Sequence, residues 1–290
     1  MNIQQFFRPY HFPSDGLLSG HGLTPQGFAE YLTYLEEQEP NIYKNAVAHI
    51  NSNPECTPRF DKAFLASFGN SLTGQTGKRR GMHFIYRGNH TVSLLKEGDN
   101  FLLLDSYNAY PALDADHLPL LEYIRQKFPQ SNIYTLHDKI QSDYHNCSFF
   151  ATQSAGAIER ALQNQDVSLL EFIKSIDTQK VHSPTLNCPN DTLKMQEYER
   201  LGIKTIPVPP QLVPFVQSLS LVDKIIQGSR AFTEQCAWLP YGSYQGELSN
   251  FSADERRNGE KKLTRMNVNI AVKNDLFRFA CLDKINEGGI

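Results

Sequence analysis

Four side chains in one stretch of the sequence have the residue types of a thiol-dependent catalytic centre. Cys147 lies where a polar, turn-rich segment gives way to a helix-prone run, Phe149 to Leu162. The dipole and the free backbone N–H groups of a first helical turn favour a thiolate at such a position. Gln141, six residues earlier, carries an amide that can donate a hydrogen bond to a developing oxyanion.

Two strand-like runs upstream each place a titratable residue at one end. His90 begins the run that continues to Leu95, and Asp105 ends the run that begins at Phe101. If these strands form a hairpin, the carboxylate lies beside the imidazole, fixes its tautomer and favours the imidazolium, which in turn favours thiolate. We therefore predict a single catalytic centre built from His90, Asp105, Gln141 and Cys147.

Other interpretations of the histidines stay open. His145, two residues before the cysteine, is a rival base, although a turn would point its side chain to solvent. A strand histidine such as His90 can also be a purely structural residue with its ring nitrogens satisfied by neighbours. The ordered set of four residues favours the catalytic interpretation of His90.

Composition and charge narrow the class of protein. The chain has 290 residues, of which 40% are hydrophobic and 20% charged, and this suits a soluble protein with a substantial core. The formal net charge of -3 predicts no bulk attraction to nucleic acid or to anionic membranes. No apolar run approaches the roughly 20 residues of a membrane span, and Met1–Tyr10 lacks the pattern of a secretory signal.

The cysteines argue against a metal centre or a disulfide scaffold. There are five, at scattered positions and without a Cys-x-x-Cys pair. This pattern is typical of reduced thiols in a protein that works in a cytosol, and we predict no metal site.

The pattern of apolar residues predicts an α+β fold, with a small mixed or antiparallel sheet flanked by helices and helical additions at both ends. We expect an irregular arm over residues 1–25. Helices are expected over 24–35, 42–51, 60–68, 118–128, 148–163, 169–176, 193–201 and 212–226, and strands over 82–86, 90–95, 101–104, 132–136 and 266–272. The predicted units are an arm and helix over 1–44, a catalytic core over 45–185, and a regulatory or cofactor region over 186–290 that packs with the N-terminal helices.

The order His, acid, Gln, Cys, with the cysteine opening a helix, resembles the CE clan of cysteine peptidases over about residues 83–163. That clan holds ubiquitin-like-protein proteases, bacterial effector deubiquitinases and the YopJ family of effector acetyltransferases. About 140 residues follow Cys147, whereas the clan's proteases commonly end soon after the nucleophile helix. The segments Ile206–Ser218 and Gly259–Arg265 are similar to two YopJ-family motifs, and His90 is followed by Thr91 where the proteases commonly have Trp.

Three features differ from the YopJ pattern. Asp105 stands where that family usually has Glu, and the pair Asp105-Ser106 is closer to the protease branch. Ser148 occupies a position where most members have Gly. Val213-Pro-Phe215 replaces the family's Lys-His pair, which removes positive charge from the expected polyphosphate site.

The resemblance implies a bacterial effector, secreted without a Sec signal peptide, that acts in the host cytosol. It would move acetyl from acetyl-CoA to Cys147 and then to Ser, Thr or Lys of a host protein, with inositol hexakisphosphate as activator. The basic residues expected to meet a polyphosphate or the phosphates of coenzyme A are Arg256, Arg257, Lys261, Lys262 and Arg265. The alternative for this cluster is a solvated loop with interleaved acidic residues.

Two other functions stay open. The same thiol chemistry would serve a CE-clan deubiquitinase or ubiquitin-like protease, for which water attacks the acyl-enzyme. The chain could also be an effector that binds a partner through the fold and retains only a vestigial site. The protein partner is correspondingly a kinase-like or ubiquitin-like host protein.

Overall fold

The computed structural model describes residues 5–9, 21–51, 60–74, 80–87, 90–106, 118–138, 140–141, 146–177 and 196–216, together with Phe277, Ala280 and Cys281. The predicted strand at 266–272, the basic cluster at 256–265 and His145 lie outside the described residues. None of the described helices is long and apolar enough to cross a membrane.

A mixed sheet of six strands runs through the described chain in sequence order. Its strands are β3 (Ala46–Asn51), β4 (Gly81–Arg87), β5 (His90–Glu97), β6 (Asn100–Leu104), β7 (Asn132–Leu136) and β8 (Ile203–Ile206). The pairs β4–β5 and β5–β6 are antiparallel, and the other three neighbouring pairs are parallel. The predicted fold class and the three strands predicted between residues 82 and 104 are confirmed.

Helices cover both faces of this sheet. They are α1 (Pro25–Gln38), α2 (Pro40–Tyr43), α3 (Lys62–Gly74), α4 (Leu118–Lys127), α5 (Cys147–Gln165) and α6 (Leu169–Asp177), with a 3-10 helix at Pro210–Phe215. Strand alternation divides β4 between two cores: Phe84 packs with α1, α5 and α6, whereas Ile85 packs with α3 and α4. Burial on both faces explains why β4 to β7 consist largely of apolar residues.

The first helix begins where its capping signals predict. Thr24 accepts a hydrogen bond at Oγ1 from the backbone N–H of Gly27 at 2.9 Å, and Pro25 occupies the first helical position. The arm before it is more regular than predicted, because β1 (Phe7–Pro9) and β2 (His21–Leu23) pair antiparallel. Phe6 and Phe7 are buried in the core beside α1, and this burial stabilises the pairing of the two strands.

The predicted helix over residues 42–51 is wrong. Only α2, which ends at Tyr43, is helical, and the chain then forms β3 in parallel pairing with β4. This pairing satisfies the backbone groups of β3 that face β4, and the ring of His49 contacts that of His83 in the interior. Strand β8 was also not predicted, and α3 continues to Gly74, past the expected end at 68, because Leu72 packs into the core.

Arg80, directly before β4, connects three parts of the fold. It is partly buried and forms ion pairs with Glu97 at 3.3 Å and Glu159 at 3.0 Å. It also donates to the carbonyl oxygen of Val167 at 3.1 Å. The guanidinium thus joins the end of β5 to α5 and to the segment that leads into α6.

Candidate active site

The antiparallel hairpin of β5 and β6 positions the histidine and the aspartate. The register of the hairpin ends with Ser93 opposite Leu104, so Asp105 directly follows the last paired residue of β6, and His90 is the first residue of β5. Both residues therefore lie at the same end of the hairpin. The imidazole Nε2 lies 2.9 Å from Asp105 Oδ1, as the predicted pairing requires.

The surroundings of the imidazole favour its charged form. Burial opposes that charge most strongly, but attraction to Asp105 and Cys147, with hydrogen bonds to both, raises the pKa of His90 well above its usual 6.5. The side chain of His90 remains 27% exposed, whereas that of Asp105 is 6% exposed. A substrate can therefore approach the centre at the ring, while the carboxylate behind it is shielded.

The sulfur lies at the tip of a buried helix. Cys147 is the first residue of α5 and is 5% exposed. The apolar face of α5, including Phe149, Phe150 and Ile158, packs into the core beneath the sheet. Because the first-turn N–H groups of a helix have no carbonyl partner inside it, the tip presents donors and a positive dipole end to the sulfur.

The glutamine is held against the sulfur by its own contacts. Gln141 is fully buried and its Nε2 donates to Cys147 Sγ at 3.2 Å. Its Oε1 accepts a hydrogen bond from the Ser106 hydroxyl at 2.6 Å. The amide nitrogen is therefore directed at the sulfur, the atom to which a reacting carbonyl carbon would bond.

A hydroxyl pair next to the centre was not predicted. Thr91 Oγ1 and Ser148 Oγ lie 2.7 Å apart, and both residues are buried. Thr91 follows His90, and Ser148 follows Cys147. The only sequence signal at these positions is that each differs from a compared family. Thr91 stands where the proteases commonly have Trp, and Ser148 stands where most YopJ-family members have Gly.

The structure brings together all four predicted residues of the centre. His90 contacts Asp105, and Gln141 contacts Cys147. His90 and Cys147 also attract each other and share a hydrogen bond, and this contact joins the two pairs. Such an arrangement can hold a thiolate–imidazolium pair, orient the ring through a carboxylate and donate a hydrogen bond to an oxyanion.

Comparisons with known proteins found distant structural likenesses only. No protein-family model matches the sequence, and no curated protein matches it. A solved structure described as AvrA delL154 with IP6 and CoA aligns over 70% of this chain and 71% of its own, at 11% identity and a TM-score of 0.36. A de-sumoylating protease aligns over 77% of this chain and 85% of its own, at 11% identity and a TM-score of 0.32. The central domain of Lpg1148 from Legionella pneumophila aligns over 54% of this chain and 84% of its own, at 14% identity and a TM-score of 0.26.

Proposed function

We propose that the chain is a cysteine-nucleophile acetyltransferase of the YopJ type, with His90, Asp105 and Cys147 as its catalytic triad and Gln141 as an oxyanion donor. Its acyl donor is acetyl-CoA, and the acceptor is a Ser, Thr or Lys side chain of a host protein. The protein would act as a bacterial effector in the host cytosol.

One observation carries the proposal. Two hydrogen-bonded pairs, His90 with Asp105 at 2.9 Å and Gln141 with Cys147 at 3.2 Å, meet at the tip of α5. Sequence order and these two contacts both support a shared role for the four residues. A buried structural cysteine needs neither an amide donor on its sulfur nor a carboxylate-bound imidazole beside it.

The chemistry follows from the positions of these groups. The Cys147 thiolate attacks the thioester carbonyl carbon and forms a C–S bond, while Gln141 and the N–H groups at the tip of α5 stabilise the oxyanion. Collapse breaks the bond to the coenzyme A sulfur, which leaves as a thiol with the proton of the His90 imidazolium. His90, now neutral, takes a proton from the acceptor hydroxyl or amine as this attacks the acetyl group. The bond between the acetyl carbon and Cys147 Sγ then breaks, and the thiolate–imidazolium pair returns.

A protease of the same clan is the second candidate. The pair Asp105-Ser106 favours it, since this dipeptide is closer to the protease branch than the Glu of the YopJ family. In that case the thiolate attacks a peptide carbonyl at the C-terminus of a ubiquitin-like protein, the amine leaves with the His90 proton, and water completes hydrolysis.

Incubation with radiolabelled acetyl-CoA tests the first proposal. We expect label on the protein that is lost in Cys147→Ala and retained in Cys281→Ala, which removes another buried cysteine as a matched control. The reaction is run with and without inositol hexakisphosphate, because the basic residues expected to bind it lie outside the described residues. Stimulation that is lost on Arg256→Ala with Arg257→Ala would support the activator.

Two other results would redirect the assignment. Covalent capture of Cys147 by a ubiquitin-like C-terminal electrophile, without acetyl labelling, would support the protease. A third result is that neither reaction occurs and that the Cys147→Ala protein affects host cells as the wild type does. This result would contradict both enzyme assignments and support an effector that acts by binding.

A further inference from the structure

A serine that the triad does not use holds the amide of Gln141 in place. The Ser106 hydroxyl donates to Gln141 Oε1 at 2.6 Å, and the Ser106 carbonyl oxygen accepts from the backbone N–H groups of Ile140 at 3.0 Å and Gln141 at 2.8 Å. Ser106 is 2% exposed, and Gln141 is fully buried. One residue thus fixes both the main chain and the side chain of the amide donor.

We propose that Ser106 is a positioning residue of the oxyanion site. Its hydroxyl keeps the N–H end of the Gln141 amide directed at the reacting sulfur. This inference rests on the proposed thiol chemistry and adds a residue to it. Asp105 and Ser106 then act as a consecutive pair, because the first orients the imidazole and the second orients the amide.

The physical reason lies in the two unlike ends of an amide. Rotation of the Gln141 amide by half a turn would place Oε1, which has no proton to donate, against a thiolate or an oxyanion. A hydroxyl that donates to Oε1 stabilises the productive orientation. It also polarises the amide and strengthens its N–H as a donor.

Removal of the hydroxyl changes orientation without removing the donor itself. Ser106→Ala deprives Oε1 of its short hydrogen bond, while Gln141, Cys147 and His90 remain in the chain. Loss of a complete oxyanion donor lowers kcat by about 100-fold to 1,000-fold. Because Ser106 acts only through Gln141, we expect a loss of about 10-fold to 100-fold for Ser106→Ala.

The experiment compares Ser106→Ala, Gln141→Ala and the double variant, with Ser93→Ala as control. Ser93 is a fully buried serine of β5 whose hydroxyl has no hydrogen-bond partner within the described residues, so its removal reports the general cost of a buried Ser→Ala change. Three quantities are measured: acyl turnover, the alkylation rate of Cys147 by iodoacetamide, and hydrogen exchange of the Gln141 side-chain amide by NMR. The amide signals are assigned by their loss in Gln141→Ala.

The expected result is a lower kcat in Ser106→Ala with little change in KM or alkylation rate. The double variant should lose no more than Gln141→Ala alone. The Gln141 amide protons should exchange faster in Ser106→Ala and should be unchanged in Ser93→Ala. Equal exchange protection in the wild type and in Ser106→Ala would overturn the proposal, and so would losses that multiply in the double variant.

The amide measurement separates this inference from the proposed function. If the wild type shows no acyl turnover but Ser106→Ala still releases the amide, the enzyme assignment fails and the positioning role stands. Gln141→Met keeps the length of the side chain and removes the N–H donor without placing a charge in the interior. This variant should lose turnover, and full turnover in it would contradict the oxyanion role of the amide.

Discussion

Thr91 Oγ1 and Ser148 Oγ lie 2.7 Å apart in the interior and join the start of β5 to the first turn of α5. Each residue directly follows a member of the candidate triad. The contact therefore limits how far the imidazole of His90 can move from the sulfur of Cys147. It also gives Ser148, which stands where most YopJ-family members have Gly, a specific structural role.

We predict that Thr91→Val and Ser148→Ala are each destabilising and that their effects are not additive. Either change leaves a buried hydroxyl without this partner, which costs about 1–3 kcal/mol, whereas the double variant removes both groups. Urea denaturation of the four proteins gives the coupling energy. Ser154→Ala is the control, since its buried hydroxyl on α5 has no partner within the described residues. Strictly additive losses would show that the contact does not hold the two elements together.

The second prediction concerns the pH range of the imidazolium. Because the folded pKa of His90 lies above 6.5, the protonated ring stabilises the fold fully below that value, and this stabilisation is lost as pH rises through the folded pKa. Asp105→Asn removes the nearby negative charge and should lower the pKa of His90. Titration of the ring signals by NMR measures the change, with Cys147→Ala as a second variant that should also lower it. A His90 pKa that is the same in all three proteins would refute the proposed charge network.

The third prediction concerns acid sensitivity. Burial lowers the pKa of His49 to about 4 and, with the charges of His49 and Lys96, that of His83 to about 3, and the two rings share a hydrogen bond of 3.1 Å. Both folded values lie below the ordinary 6.5, so stability is fully present above pH 6.5 and is lost as pH falls toward 4. The shift of His49 alone corresponds to about 3 kcal/mol.

Neutral replacements that keep the shape of this contact should reduce the acid sensitivity. Gln at His49 places a nitrogen near the position of Nε2, and Asn at His83 places an oxygen near the position of Nδ1. The double variant His49→Gln with His83→Asn should show a flatter dependence of unfolding free energy on pH between about 6.5 and 4 than the wild type. The same slope in both proteins would mean that other groups cause the acid unfolding.

The fourth prediction tests the packing of α5 against α2. A Cβ atom on Gly156 would overlap the hydroxyl of Tyr43, which donates to the carbonyl oxygen of Thr152 at 3.1 Å. Alanine gains about 1 kcal/mol in helix propensity, but the overlap costs about 1–3 kcal/mol, so Gly156→Ala should be destabilising on balance. Gly74→Ala is the matched control because its Cβ would meet nothing within 4 Å. A higher melting temperature for Gly156→Ala than for Gly74→Ala would contradict the packing described.

The sequence predicted local features of the fold well and nonlocal ones poorly. The turn between β5 and β6 contains Gly98 at a positive φ of 57°. A glycine between two short apolar runs is a local signal of a hairpin that the sequence shows directly. Strand β3 was mistaken for a helix because its parallel partner, β4, is remote in sequence and only that pairing decides its conformation. Strand β8 was missed for the same reason, since it pairs in parallel with the distant β7.

The site could be predicted in its residues but not in its supports. A cysteine at a helix start, a histidine and an acid at strand ends and a preceding glutamine have types and positions that indicate chemistry. The hydroxyls of Thr91, Ser106 and Ser148 do not indicate chemistry by their residue type, because serine and threonine are common at any position. Their roles emerge only from distances of 2.6 Å and 2.7 Å in the folded chain.

The most direct test of the thiol centre is the rate at which iodoacetamide alkylates each of the five cysteines at about pH 6. The account predicts that Cys147 reacts faster than the other four, and that this advantage is lost in His90→Ala. Mass spectrometry of tryptic peptides gives all five rates in one experiment. Equal rates for the five thiols, or a Cys147 rate unaffected by loss of His90, would contradict the central claim that His90 activates Cys147 as a nucleophile.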